Sequence, residues 1–333
     1  MIRGLHREAY ILEIGLSLLL AAAMVGCGGG GGGATVTTQD NNPVPAVTTI
    51  SPTSATSGAA KQTLTINGTN FLSSSTVTYN SVAHAPTFVN STQLTISLSA
   101  SDQATAGNYA VVVTNPSPGG GDSNTVNFTV NNPVPSISSI SPASVMSGAA
   151  AQALTINGTN FLSTSTVTYN SVAHAATFVN STQLMISLSA SDQATAGSYA
   201  VVLTNPTPGG GASNSMNLTV DNPVPALSSL SPASATAGAA AQTLTIDGTN
   251  FLSSSTVTYN AVPHTPTFVS STKLTIPLSA NDQATAGNYA VVVTNPGPDG
   301  GASNSVNFVV NAGGSVEVTL NGSSSGTASE TVG

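Results

Sequence analysis

From Leu64 onward, apolar side chains alternate with Thr, Ser and Asn. Leu64 and Ile66 flank Thr65, and Val77 and Tyr79 flank Thr78. Leu94, Ile96 and Leu98 are spaced by Thr95 and Ser97. Tyr109, Val111 and Val113 follow, then Val126, Phe128 and Val130 around Asn127 and Thr129. A period of two with hydroxyl residues on the off-phase predicts strands with one buried face. Turn chemistry at Asn67-Gly68, Ser73-Ser74-Ser75, Asn90-Ser91-Thr92 and Pro116 to Gly121 separates them. Ser99 to Gly107 is the one helical-looking piece, a single turn capped by Ser99 or Ser101. Short strands at such spacing, with no long helix, predict a β-sandwich.

The pattern then returns twice. Asn42-Pro43-Val44-Pro45 recurs as Asn132-Pro133-Val134-Pro135 and as Asn222-Pro223-Val224-Pro225, and what lies between recurs with it. A unit of about 90 residues is large enough to bury its own core, unlike the shorter units of solenoids. Three independent domains are therefore expected, at residues 42–131, 132–221 and 222–311. The first two copies differ at about 20 of 90 positions, mostly by swaps such as Thr for Ala. Likeness that extends to the surface points to recent duplication. Val130-Asn131-Asn132-Pro133-Val134-Pro135 leaves little slack between units, and its prolines favour an extended, semi-rigid joint.

Ile50-Ser51-Pro52, Gly58 and Leu64-Thr65-Ile66-Asn67-Gly68-Thr69-Asn70-Phe71 resemble the opening half of the IPT/TIG family. Val77-Thr78-Tyr79-Asn80, Ser91 to Thr95 and Ala106 to Val113 resemble its later strands, and each copy repeats the match. The resemblance implies an all-β chain of three tandem immunoglobulin-like β-sandwich domains of the E-set type. It implies a wide range of settings: receptor ectodomains, bacterial surface proteins, regions beside starch-active catalytic domains, and some transcription factors.

Charge removes the last setting. The chain has four Lys/Arg against twelve Asp/Glu, and only Lys61 and Lys273 lie beyond residue 26. Nucleic-acid backbones need several cationic contacts, so no nucleic-acid partner is expected. Anionic lipid surfaces are disfavoured for the same reason. The repeats contain no Cys, so each must be held by its core and its strand ladders.

Residues 1–26 have the layout of an export signal: Arg3 and Arg7, then an apolar run from Ile14 to Val25 that is short for a membrane span. Met24-Val25-Gly26-Cys27 resembles the bacterial lipobox, with Met24 where Leu is usual. The resemblance implies lipid attachment at Cys27, with residues 27–41 as a Gly-rich tether, and a chain exported and anchored to a bacterial envelope by its N-terminal lipid. An ordinary signal peptide or an uncleaved anchor is the alternative.

Candidate chemistry is sparse. His84, His174 and His264 occur once per unit, read as exposed residues without nearby acids, which is too few ligands for a metal. Asp102, Asp192 and Asp282 are likewise read as solitary turn caps rather than calcium ligands. Gly322-Ser323-Ser324-Ser325-Gly326 fits a nucleophile elbow only formally, since no His follows it. Gly119 to Gly121 and Gly28 to Gly33 precede neither a helix nor a Lys and read as a turn and a tether. No catalytic residue, metal site or cofactor is expected. Among aromatic residues, Phe71, Tyr79, Tyr109 and Phe128 (Leu218 in the second copy) read as core, whereas Phe88 is off-phase and is the candidate sugar platform. The sequons at Asn67 and Asn90 read as turn and strand residues. After Asn311, in the Ser/Gly-rich tail at 312–333, Val316, Val318 and Leu320 alternate like one strand, either padding the third unit or opening a further domain. The function expected is a non-enzymatic, lipid-anchored stalk or adhesion array with an unidentified protein or glycan ligand. The alternative is an accessory region that positions a polysaccharide-active catalytic domain.

Overall fold

The computed structural model describes residues 41–314. The export signal, Cys27, the glycine tether, the Gly322 to Gly326 motif and the alternation at 316–320 all lie outside the described residues.

Ten strands build the first unit. They are β1 (Ala46–Ser51), β2 (Ser54–Thr56), β3 (Gln62–Thr69), β4 (Thr76–Tyr79), β5 (Val82–His84), β6 (Thr87–Asn90), β7 (Gln93–Leu98), β8 (Gly107–Asn115), β9 (Gly121–Asp122) and β10 (Val126–Asn131). One sheet runs β1-β3-β7-β6; the other runs β2-β10-β8-β4-β5, with β9 added to β8. All pairings are antiparallel except β2 with β10. Both later units repeat this topology.

The alternating positions supply the core, as their phase predicts. Leu64, Ile66, Leu94, Ile96 and Leu98 line one inner face; Val77, Tyr79, Val111, Val113, Phe128 and Val130 line the other. Registers such as Leu64 opposite Ile96 and Tyr79 opposite Val111 hold these residues on their faces. Three separate clusters result, one per unit.

Asn67-Gly68 is not a turn. β3 runs straight through it, and β1 bulges opposite, between Val47 and Thr49. Gly68 is there because nothing larger fits: a Cβ would stand 2.0 Å from the Ala46 carbonyl oxygen and 2.5 Å from the Phe71 ring. Glycine inside a strand marks such a close approach. The chain turns two residues later, where Asn70 takes the left-handed conformation, φ 61°.

Buried polar residues pin the loops. Asn115 donates to the Pro43 and Asn70 carbonyls at 2.8 and 2.7 Å, while its Oδ1 accepts from Ser75 Oγ at 2.5 Å. Gln103, fully buried, donates to the Ala60 and Ser99 carbonyls and accepts from Gln62. Among the described residues, no buried side-chain nitrogen or oxygen lacks a partner.

The joints are docked segments. Asn131 closes β10, and its carbonyl accepts from Ser57 N at 2.8 Å. The next residue, Asn132, already belongs to the second unit: its N–H donates to Pro208 O, and its carbonyl accepts from Gly210 N, both at 2.8 Å. No residue is left free between these two sets of bonds.

Candidate functional site

The candidate site forms where β4, β5, β8 and the single 3-10 turn Ser101–Gln103 converge. Tyr79 ends β4 in the core phase and Tyr109 sits near the start of β8, so the two rings meet, stacked at 5.2 Å and 14°. His84, the last residue of β5, places its ring edge-on to Tyr79 at 5.7 Å. The side chain of His84 is only 12% exposed, and its Nε2 lies 3.2 Å from Asp102 Oδ2. The expectation of an exposed His without a nearby acid, and of a solitary Asp, is thereby corrected. Eighteen residues of sequence separate the pair, and β5 folding back beside β4 closes that gap.

Asp102 also caps its turn. Its Oδ2 accepts from Ser99 N and Ser99 Oγ, both at 2.7 Å, and its own N–H donates to Ser99 Oγ at 3.3 Å. Partial burial works to raise the Asp102 pKa, but the Ser99 bonds and His84 outweigh it and hold the carboxyl below its ordinary 3.8. At Asp192 and Asp282 the pKa is lowered by the same partners, Ser189 with His174 and Ser279 with His264. Burial is also the leading cause that pushes Tyr79 above its ordinary 10.0, followed by its stacked partner and the carboxylate; Tyr169 and Tyr259 rise to about 12.

This is not a catalytic triad. Ser99 and His84 both bond the same carboxylate oxygen, so Asp102 stands between them and no hydroxyl is offered to the imidazole. The other ring nitrogen, Nδ1, faces the Val82 carbonyl at 3.1 Å. Among the described residues, no group of three His, Cys, Asp or Glu is close enough together to hold a metal ion.

Beside the Tyr pair the surface opens into a hollow of about 170 Å³, bounded by Tyr79, Asn80, Val82, Ser101, Asp102 and Tyr109. The same hollow recurs at Tyr169 and at Tyr259. The second is larger, about 210 Å³, and its rings are tilted by 34° instead of stacked. There Leu218 replaces the Phe that packs against Tyr79 and Tyr259 at 6.0 Å in the other units, so the ring loses a support. Phe88 lies elsewhere, on the edge strand β6, 40% exposed beside Val89. Phe71, Tyr79 and Phe128 are buried and Tyr109 is partly so, as their phase predicts. What sequence reading missed is the hollow itself, since its residues come from four separate segments.

The IPT/TIG domain model matches residues 45–130, 135–220 and 225–310. No curated protein sequence matches the chain. Among solved structures, the chain is similar to a D1–D4 ectodomain fragment of ICAM-5, at 14% identity and TM-score 0.38 over 80% of this chain and 75% of that one. It is similar to the I9–I11 tandem of titin, at 14% identity and TM-score 0.27 over 83% and 98%. It is also similar to the full extracellular region of plexin A4, at 14% identity and TM-score 0.24 over 78% of this chain; it spans only 23% of that chain's length. With well over half of its residues matched in three tandem copies, the chain belongs to the IPT/TIG domain family.

Proposed function

We propose that the chain is a non-enzymatic, lipid-anchored surface protein in which three IPT/TIG domains act as an extended stalk and binding array. One observation carries the reading: three closed sandwiches follow one another with no free residue at the joint, and the polar side chains buried in them are already satisfied. Such modules hold their shape without cofactor or disulfide and project whatever their surfaces bind. The anchoring half of the reading rests on the sequence alone, where the only Cys stands directly after a short apolar run.

Fractionation tests the anchor. The parent chain is expected in the membrane fraction and to be removed from intact cells by protease. Cys27→Ser is expected to move it to the soluble envelope fraction or to stall its processing. A variant that fractionates with membranes and is cut at the parent bond overturns the lipid-anchored reading. A second reading, an accessory region beside a polysaccharide-active domain, is favoured by the alternating Val316, Val318 and Leu320 after the third repeat.

A further inference from the structure

We propose that the three Tyr–Asp hollows are subsites for neutral sugar residues, one pyranose ring each, and that together they bind a repeating neutral polysaccharide. The inference deepens the binding-array reading and rests on it.

The chemistry of the lining selects the ligand. Asp102 Oδ2 is fully engaged, yet Oδ1 has no hydrogen-bond partner among the described residues. A carboxylate oxygen held in place by three bonds to its sibling is a ready acceptor for sugar hydroxyls. The Asn80 side-chain amide has no partner either, and Ser101 adds a hydroxyl. The Tyr109 hydroxyl donates to Thr105 O at an exposed position, which leaves its oxygen free to accept, while the buried Tyr79 hydroxyl is held by Asp102 O. Facing these groups, Val82 is 60% exposed and supplies an apolar wall. A polar rim against an apolar wall suits a pyranose, which carries hydroxyls at its edge and C–H bonds on its faces.

Other ligand classes fit less well. One carboxylate per hollow is too few for calcium. A quaternary ammonium needs a box of aromatic faces, whereas here the two rings cover each other at 5.2 Å. Anionic glycans would meet the Asp102, Asp192 and Asp282 carboxylates with no cation in the linings to offset them. A hollow of about 170 Å³ equals roughly six waters at about 30 Å³ each, space for one ring.

Repetition turns weak subsites into useful binding. The linings recur with one polar change, Ser101 to Asn281, and the same wall, Val82, Val172 and Val262, each 57–60% exposed. Linked sites on one chain gain about 10²–10⁴ in avidity over a single site when the ligand also repeats.

The test is affinity electrophoresis of the purified full chain in gels containing dextran, starch or galactomannan, with alginate as the anionic control. Retardation by at least one neutral polymer, and none by alginate, is expected. The triple variant Asn80→Gly, Asn170→Gly, Asn260→Gly removes the amides while suiting the left-handed backbone at these positions, φ 48–50°. The triple variant Val82→Ser, Val172→Ser, Val262→Ser removes the wall at exposed sites. Both are expected to melt as the parent does and to bind at least tenfold more weakly; Asn80→Gly alone should give an intermediate loss. Retardation of the parent by none of the neutral polymers, or by alginate alone, overturns the proposal. Retardation unchanged in both folded triple variants also overturns the hollow as the site, while leaving a glycan-binding array standing elsewhere on the surface.

Discussion

Asn115 shows how much one side chain carries in a module without disulfides. It ties the incoming Asn-Pro-Val-Pro segment, the turn after β3 and Ser75 together from a position 2% exposed. Its counterpart Asn205 bonds Pro133 O and Asn160 O in the same way. Replacing Asn205 by Ala strands the buried Ser165 hydroxyl, at about 1–3 kcal/mol, and frees two part-buried carbonyls that water can reach, which adds less. Asn205→Ala is expected to lower the stability of the second domain by about 2–4 kcal/mol, read as an earlier denaturant midpoint with unchanged slope. Asp102, Asp192 and Asp282 set the acid limit. Their folded pKa values lie below the unfolded 3.8, so the stability they contribute is present above that value and is lost as pH falls through the folded one. Melting temperature should therefore drop below about pH 4, and Asp→Asn at all three sites should flatten the drop while lowering stability at neutral pH. The groups that face each carboxylate are the Ser bonded to its Oδ2, the His ring beside it and the buried Tyr of the stack. A parent-like acid profile in the variant would sink this account.

At the scale of the element, the bulge between β1 and β3 is a tight contact rather than slack. Gly158, the equivalent of Gly68, faces Ser136 O at 1.9 Å and Phe161 Cζ at 2.6 Å from an added Cβ. Gly158→Ala cannot be absorbed by a rotamer change because the near atom is backbone. It is expected to destabilise the second domain by about 1–3 kcal/mol or more, whereas Gly148→Ala, with open space around its Cβ, should cost only the strain of φ 77°. The same element explains what was legible in the sequence. Strands β3, β4, β7, β8 and β10 were readable because each buries every second residue. β1 was not, since its bulge sets the buried residues three apart, at Val47 and Ile50. β6 is exposed along its whole length, and β2, β5 and β9 are too short to show a period. The His84–Asp102 pair was unreadable for a related reason, as it depends on the β4–β5 register and not on spacing. One register is visible by comparing copies: Asn67 bonds Gln93 at 3.0 Å, and in the third unit Asp247 and Lys273 stand in their places, 3.5 Å apart. Both members changed together. The new ion pair is half in solvent and should add no more than about 1 kcal/mol.

For the whole molecule the question is whether three domains act as one body or three. Each unit owns a separate buried cluster, so the fragment 132–221 is expected to melt cooperatively by itself, and Ile156→Asp, which places a charge at a fully buried site, to unfold that unit. What joins the units is a different matter. Asn131 is bonded within the first domain and Asn132 within the second, so a single peptide link separates two anchored residues. At the second joint Asp221 is only 7% exposed beside a buried Asn222, so that joint is packed as well. Rotation at such joints is confined to few dihedrals, and the prolines that follow, at 133 and 135 or 223 and 225, fix φ on the far side. Near-identical joints should impose similar turns from one domain to the next. Small-angle scattering of residues 42–311 is therefore expected to give an elongated particle of roughly 100 Å, from the eight- and nine-residue strands β3 and β8 plus turns in each domain. Asn132→Gly with Pro133→Gly and Pro135→Gly should broaden the distance distribution without changing the melting of either neighbour. A compact profile for the parent, or an unaltered one for the glycine variant, would mean that the joints do not set the spacing of the array.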